Sequence, residues 1–342
     1  MRFIVTGAAG FVGSNLVQAL NARGEKDIIA VDDLKEANKY RNLADLDISD
    51  YFDKSEFIQI LKSKSLGKIE AIFHEGACSD TMESDGYFMM ANNYRYTLDL
   101  IDICAEQGIP LIYASSAATY GRSTKFVETR ECEKPLNIYG YSKVLLDHIV
   151  RQRITAKSLK SQVVGLRYFN VYGPRESHKG RMASVAFHHF HQYRDSGYVK
   201  LFGQHDGYVA GEQKRDFIYV EDVVKVNLFF YENRHVNGIF NLGTGRAQAF
   251  NDVALTVINR LDQIQGLENF KEQSLQDVVN SNKLRYIDFP DDLKGKYQSF
   301  TQASLDLLRA TGYQQEFHTV EQGVRKYVTW LSENTEFLAE RL

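Results

Sequence analysis

Tyr139 and Lys143 stand four residues apart in the run KPLNIYGYSK (134–143). On a helix that spacing puts both side chains on one face. An ammonium beside a phenol lowers a pKa that is ordinarily about 10, so the tyrosine becomes a usable acid/base near neutrality. The chain has 20 tyrosines, and such a pair also arises by chance; its context decides. Upstream lies ASSAATYG (114–121), where the Ser116 hydroxyl at a strand end faces Tyr139 and can donate to a carbonyl or alkoxide. Together the three residues suit oxidation and reduction at a carbinol carbon.

Such chemistry needs a hydride carrier. TGAAGFVG (6–13) follows the first apolar run directly, with glycines spaced G-x-x-G-x-x-G. Gly7 permits a tight turn, Gly10 lets backbone approach a pyrophosphate, and Gly13 allows close helix–strand packing. A helix beginning near Phe11 turns its N–H groups and positive dipole end toward the phosphates. The second strand ends in Val31-Asp32-Asp33. An acidic group there accepts from ribose hydroxyls, which favours NAD; Lys35, Lys39 and Arg41 follow closely and can neutralise a 2′-phosphate. The residues alone leave NAD and NADP open.

The elements that must hold these groups follow from periodicity. Phe3–Thr6, Ile28–Val31, Ala71–His74, Leu111–Ser115 and Val163–Phe169 read as strands, with Gly238–Leu242 and a shorter Tyr286–Phe289 later. Ser14–Arg23, Tyr94–Gln107 and Tyr139–Ile154 read as the intervening helices. This alternation predicts an α/β fold, a Rossmann-type doubly wound parallel sheet, with a smaller α/β C-terminal substrate lobe. Residues 1–172 are assigned to the dinucleotide-binding domain, with 214–243 returning to it; 173–213 and 244–342 form the lobe. There, Met182–Tyr193, Ala303–Thr311 and Val320–Leu331 read as helices and Asp262–Lys283 as a helix-plus-loop excursion.

Composition narrows the class. The 342 residues carry 41 Lys+Arg against 44 Asp+Glu, a net charge of −3, which supplies no electrostatic drive toward nucleic acid or an anionic membrane. With 44% hydrophobic and 25% charged residues, wholesale disorder is excluded. Cys78, Cys104 and Cys132 form no C-x-x-C pair, so neither a disulfide framework nor a cysteine zinc site is expected. No run approaches the ~18 apolar residues of a membrane span, and no leader pattern precedes the first strand. The expectation is a cytoplasmic, reduced protein.

The glycine-rich first turn, strand-end serine and Tyr-x-x-x-Lys helix resemble the extended short-chain dehydrogenase/reductase superfamily. Longer strings narrow the likeness: HEGACS (74–79), KPLNIYGYSK (134–143), RYFNVYG (167–173), PRESHKG (174–180), MASVAFH (182–188), KRDFIYV (214–220) and KGKYQSFTQ (294–302). Together they resemble the ADP-L-glycero-D-manno-heptose 6-epimerases of lipopolysaccharide core synthesis over nearly the whole chain. That resemblance implies inversion at carbon 6 of an ADP-bound heptose, with one tightly held NADP per subunit regenerated each cycle. Tyr139 and Lys179 would be the two acid/base groups, supported by Ser116 and Lys143. Implied NADP contacts are Gly10, Phe11, Asp32, Asp33, Lys39, Lys54, Glu75, Gly76, Ala77, Cys78, Ser79, Asn92, Lys143, Val171 and Lys179. Implied substrate contacts are Ser116, Asn170, Arg181, His188, Phe202, Arg215 and Tyr297. The resemblance also implies a homo-oligomer, a homopentamer.

In the HHFH cluster (188–191) no carboxylate or cysteine stands at ligand spacing, so no metal is expected; His188 is the substrate contact and His189 and His191 are expected at the surface. The alternative on the same scaffold is a UDP- or dTDP-hexose 4-epimerase or dehydratase. Ala117 and Ala118, following Ser116, stand against a dehydratase, which commonly carries threonine and an acid there. A non-catalytic dinucleotide sensor commonly loses the Tyr/Lys pair, which is intact here.

Overall fold

The computed structural model describes residues 1–266, 270–290 and 298–334. Among them the strands run β1 (Phe3–Thr6), β2 (Ile28–Asp32), β3 (Asp50–Asp53), β4 (Ala71–His74), β5 (Leu111–Ser116), β6 (Val163–Tyr168), β7 (Asn170–Tyr172), β8 (Val199–Phe202), β9 (Lys214–Tyr219), β10 (Gly238–Leu242), β11 (Ala247–Ala249) and β12 (Leu284–Ile287). The α-helices are α1 (Phe11–Ala22), α2 (Lys54–Lys62), α3 (Gly86–Met89), α4 (Tyr96–Gln107), α5 (Ile138–Thr155), α6 (Val185–Ser196), α7 (Val220–Glu232), α8 (Phe250–Ile264), α9 (Leu275–Asn280), α10 (Asp306–Ala310) and α11 (Val320–Glu333).

Two units divide the chain. The first comprises Met1–Tyr168, Val223–Leu242 and Ser304–Gln314. It holds a seven-stranded sheet in the order β10-β6-β5-β4-β1-β2-β3, parallel throughout. Its inner strands are continuous apolar runs because helices cover both faces. Ile4, Val31, Ile72, Leu111 and Val163 pack into one core with Leu100 and Ile101 of α4 and Leu146 and Val150 of α5. Strand order reverses between β1 and β4, and the crevice outside the carboxyl ends of strands at such a switch point is where open α/β sheets bind ligands.

The second unit comprises Phe169–Asp222, Gly243–Ala303 and Gln315–Leu342. Its β7 and β11 flank β9, and β8 pairs in parallel with β12. Phe187 and Phe190 of α6, Val253 and Val257 of α8, and Val324 and Val328 of α11 share its core. The structure divides the segment 214–243: β9 bonds to β7 and β11, so Lys214–Asp222 belongs to the second unit, while Ser304–Gln314 joins the first.

The helix expected over Met182–Tyr193 is cut short at its start. Gly180 takes φ +52° and kinks the short 3-10 segment over Ser177–Met182, and Ser184 then caps α6 by accepting from the Phe187 N–H at 3.2 Å. The helix expected from Ala303 shrinks to α10. Within the excursion, Ser274 and Asp277 cap α9 reciprocally; residues 267–269 lie outside the described residues. No helix among the described residues is long and apolar enough to cross a membrane.

Candidate active site

The turn after β1 is fixed by backbone contact. Gly7 has φ +67°, and a Cβ there would sit 2.6 Å from the Gly76 N behind β4, so only glycine fits. Helix α1 starts on Gly10 with no side-chain cap and no acidic residue in its first turn, and Phe11 and Gly13 are buried in that turn. Such an N-terminus suits a phosphate group.

At the end of β2, the buried Asp32 accepts from the Ala9 N–H at 2.8 Å and the Asp33 N–H at 2.7 Å, and pairs with the Lys39 ammonium. Lys54 pairs with Asp33 at 2.7 Å and donates to Asn92 at 3.1 Å. Burial alone would raise Asp33, but Lys54 and the Lys35 N–H hold it below the usual carboxylate range. Two carboxylates and two ammonium groups therefore meet at the carboxyl end of β2.

Glu75 to Ser79 follow β4. His74 lies between Thr6 and Thr97 hydroxyls, 2.5 and 2.8 Å away; burial, helped by Lys143, pushes it down to about 3, so it is neutral. The Tyr168 hydroxyl donates to Glu75 Oε1 at 2.9 Å, while the buried Oε2 has no hydrogen-bond partner among the described residues. Burial pushes Glu75 up to about 7 against the opposing effects of Tyr168 and Lys143. A buried acceptor without a donor, beside a glycine turn and an uncapped helix, fits a bound dinucleotide carrying hydroxyl and amide donors.

This raised value has a consequence for stability. Protonated Glu75 stabilises the fold fully below its unfolded pKa of about 4.3, and the contribution is lost as pH rises through about 7. The Glu75→Gln variant is therefore expected to gain melting temperature over the parent at pH 8 and little at pH 4. Equal differences at both values would refute it.

The sequence reading missed Asn93. A π-helical turn over Met90–Arg95 joins α3 to α4, and within it the buried Asn93 accepts from the Cys78 N–H and donates to the Cys78 carbonyl, each at 2.8 Å. This clamp holds the segment after β4. The available signal was the asparagine doublet 92–93 inside a helical run, where asparagine is a poor former. Burial raises the Cys78 thiol.

Helix α5 is seated by its N-cap, the Asn137 side chain accepting from the Gly140 N–H at 2.9 Å. A Cβ on Gly140 would lie 2.6 Å from the Ala118 carbonyl oxygen. That close approach presses the first turn of α5 onto the turn after β5, bringing Tyr139 to Ser116. The lowering expected from the Lys143 spacing is not seen: burial raises the Tyr139 phenol, and the Ser116 hydroxyl pulls it back only in part. Lys143, only 2% exposed, donates to the Ala114 carbonyl at 2.7 Å. Burial brings its ammonium down to about 8. Ser116 and Tyr139 thus meet at the carboxyl end of β5, with Lys143 held one turn further along α5 against Ala114 inside the strand. The arrangement can move a proton on and off a substrate hydroxyl.

The second unit carries the other candidates. Asn170 and Val171 lie on β7, Phe202 ends β8 and Arg215 sits buried on β9. Lys179 lies 3.9 Å from the buried Glu176 carboxylate, which also accepts from the Ser184 N–H and hydroxyl at 2.7 and 2.6 Å. His188 Nε2 is 3.4 Å from the carbonyl of the exposed Arg181. Tyr297 lies outside the described residues. His189 and His191, expected at the surface, are 3% and 5% exposed. Helix α6 turns them into the unit, where His191 packs 4.3 Å from the Phe187 ring and burial drives His189 down to about 3.

The profile of the NAD dependent epimerase/dehydratase family matches residues 3–243. The chain belongs to that family. As such it is an enzyme of the nucleotide-sugar epimerase/dehydratase class, whose members bind a nicotinamide dinucleotide. Among solved structures, this family member is similar to the Helicobacter pylori ADP-L-glycero-D-manno-heptose-6-epimerase, with 28% identity, 97% of this chain and 96% of that one covered, and a TM-score of 0.77. It is also similar to the Methanobrevibacter ruminantium UDP-N-acetylglucosamine 4-epimerase, in complex with UDP-N-acetylmuramic acid, with 25% identity, 97% and 98% coverage, and a TM-score of 0.75. The Thermus thermophilus UDP-glucose 4-epimerase in complex with NAD shares the fold, with 24% identity, 96% and 98% coverage, and a TM-score of 0.73.

Proposed function

We propose that the enzyme interconverts ADP-D-glycero-β-D-manno-heptose and ADP-L-glycero-β-D-manno-heptose at carbon 6, supplying heptose for the lipopolysaccharide core in the cytoplasm. The observation that carries this reading is the Ser116–Tyr139–Lys143 group at the end of β5, joined to motif strings that resemble heptose 6-epimerases along nearly the whole chain. The likeness to the Helicobacter pylori heptose epimerase, spanning 97% of the chain, supports the same substrate.

Bound NADP supplies the hydride acceptor and donor. Gly7, Gly10 and the start of α1 would hold its pyrophosphate, and the Lys39 and Lys54 ammonium groups beside Asp32 and Asp33 support the 2′-phosphate form over NAD. Tyr139 takes the carbon-6 hydroxyl proton of one epimer, with Ser116 donating to the same oxygen. The hydroxyl of the other epimer points the opposite way and needs a second acid/base, which we assign to Lys179. Arg215 would clamp the diphosphate, since a guanidinium matches phosphate oxygens two at a time. A homo-oligomer, as the resemblance implies, belongs to the same reading.

Lys179→Met is expected to slow interconversion roughly 100-fold, the scale of one general acid/base, with the fold unchanged. Turnover at the parent rate would leave Lys179 as a phosphate-binding or solvated lysine. The second reading, a hexose 4-epimerase, is favoured by the similar likeness to the UDP-N-acetylglucosamine enzyme. A substrate panel separates them: turnover of ADP-heptose with UDP- and dTDP-hexoses inert supports our reading, and the reverse replaces it.

A further inference from the structure

Helix α5 carries a third polar group on the stripe that holds Tyr139 and Lys143. Asp147 follows Lys143 by four residues, so the three side chains stack along one face. Strand β5 runs antiparallel to that stripe and meets each in turn. Ser116 stands by Tyr139, and the Ala114 carbonyl takes the Lys143 ammonium at 2.7 Å. The Ser115 and Tyr113 hydroxyls both donate to Asp147 at 2.9 Å. From neighbouring β6, Arg167 Nε adds a third donor at 2.9 Å. Asp147 and Arg167 are both wholly buried.

We propose that Asp147 is a positioning residue of the active site: its carboxylate, bolted to β5 and β6, sets how far α5 slides along β5 and places a fixed negative charge behind Lys143. A carboxylate held by three donors from two strands resists displacement in the sheet plane. One turn away, the same helix must hold a buried ammonium against a single carbonyl. Without a facing negative charge, a buried ammonium sheds its proton.

The groups around Lys143 make Asp147 the leading counter-charge. Burial pulls Lys143 down, and Asp147 opposes it first, followed by Glu75 and Cys78 from the segment after β4. His74 of β4 also faces it and is neutral. Behind Asp147, Arg167 is shared with Glu133, which pairs in addition with Arg151 and His148. This inference rests on the acid/base reading of Tyr139 and Lys143, and not on which nucleotide sugar is turned over.

The test follows the Lys143 amine by NMR in protein labelled with ¹³Cε-lysine, its signal assigned through Lys143→Arg. In the parent it is expected to titrate near 8. In Asp147→Asn the midpoint falls by about one unit or more and Asp147→Glu restores it. Turnover of the accepted nucleotide sugar falls about tenfold in Asp147→Asn with KM little changed, and recovers in Asp147→Glu. An unmoved Lys143 titration in a folded Asp147→Asn protein overturns the proposal, because a mere core staple would lose stability and nothing else. Should Asp147→Asn not fold, the double variant Tyr113→Phe/Ser115→Ala removes two neutral donors and leaves the charge. It is expected to lower turnover several-fold at unchanged cofactor content, and parent turnover would overturn the proposal. A shifted titration in a protein inert toward ADP-heptose upholds the role of Asp147 and removes the heptose reading.

Discussion

Tyr139→Phe is expected to lower turnover about 1,000-fold, within the range of general acid/base catalysis, while the protein keeps its fold and its bound cofactor. Phenylalanine preserves the ring between Ser116 and the start of α5 and removes only the hydroxyl. Gly140 still allows the close approach to the Ala118 carbonyl, and Lys143 still reaches Ala114. The proton path is what disappears. Turnover and bound-nucleotide absorbance measured on the same preparation check it. Activity within tenfold of the parent would remove Tyr139 from the acid/base role.

Arg167→Met is expected to give the largest loss of stability in the first unit, about 3–5 kcal/mol, because it removes one partner from a buried charge cluster. Arg167 lies between Glu133 and Asp147 with none of its side chain exposed. Burial by itself would raise Glu133, yet Arg151 and Arg167 hold it down at about 2. A depressed carboxylate contributes stability above its unfolded pKa of about 4.3, and that contribution fades as pH falls toward the folded value. The deficit of Arg167→Met is therefore widest near neutrality and narrows on acidification. Denaturant titrations at pH 7 and pH 4 measure both points; a deficit under about 1 kcal/mol at pH 7 would show that the cluster carries no such weight.

The parts of this molecule that sequence reveals are those whose burial leaves a periodic mark. Strands β1, β4 and β5 are covered on both faces, so their residues form largely apolar runs. The Tyr139–Lys143 pair and the glycine turn were legible for a related reason: their spacing is short-range and the chemistry dictates the residue type. Strand β3, Asp50–Asp53, is polar and partly exposed at the sheet edge, and it left no such mark. Strands β7, β9 and β11 depend on pairings between segments far apart in the chain. The buried ion pairs were invisible because Asp147 and Arg167 stand 20 residues apart and meet only when α5 lies on β5 and β6. His189 and His191 misled because a polar pattern on α6 conceals that the helix packs on α8.

We propose that the enzyme reversibly oxidises carbon 6 of an ADP-heptose, with the hydride kept on its nicotinamide dinucleotide. The most direct measurement incubates the protein as isolated, with no added nucleotide, with ADP-D-glycero-β-D-manno-heptose bearing deuterium on carbon 6 in ordinary water. The account predicts the L-glycero epimer with its deuterium retained, since the hydrogen returns to the carbon it left. An epimer that carries hydrogen from water at carbon 6, or no epimer while a UDP- or dTDP-hexose is turned over, would contradict it.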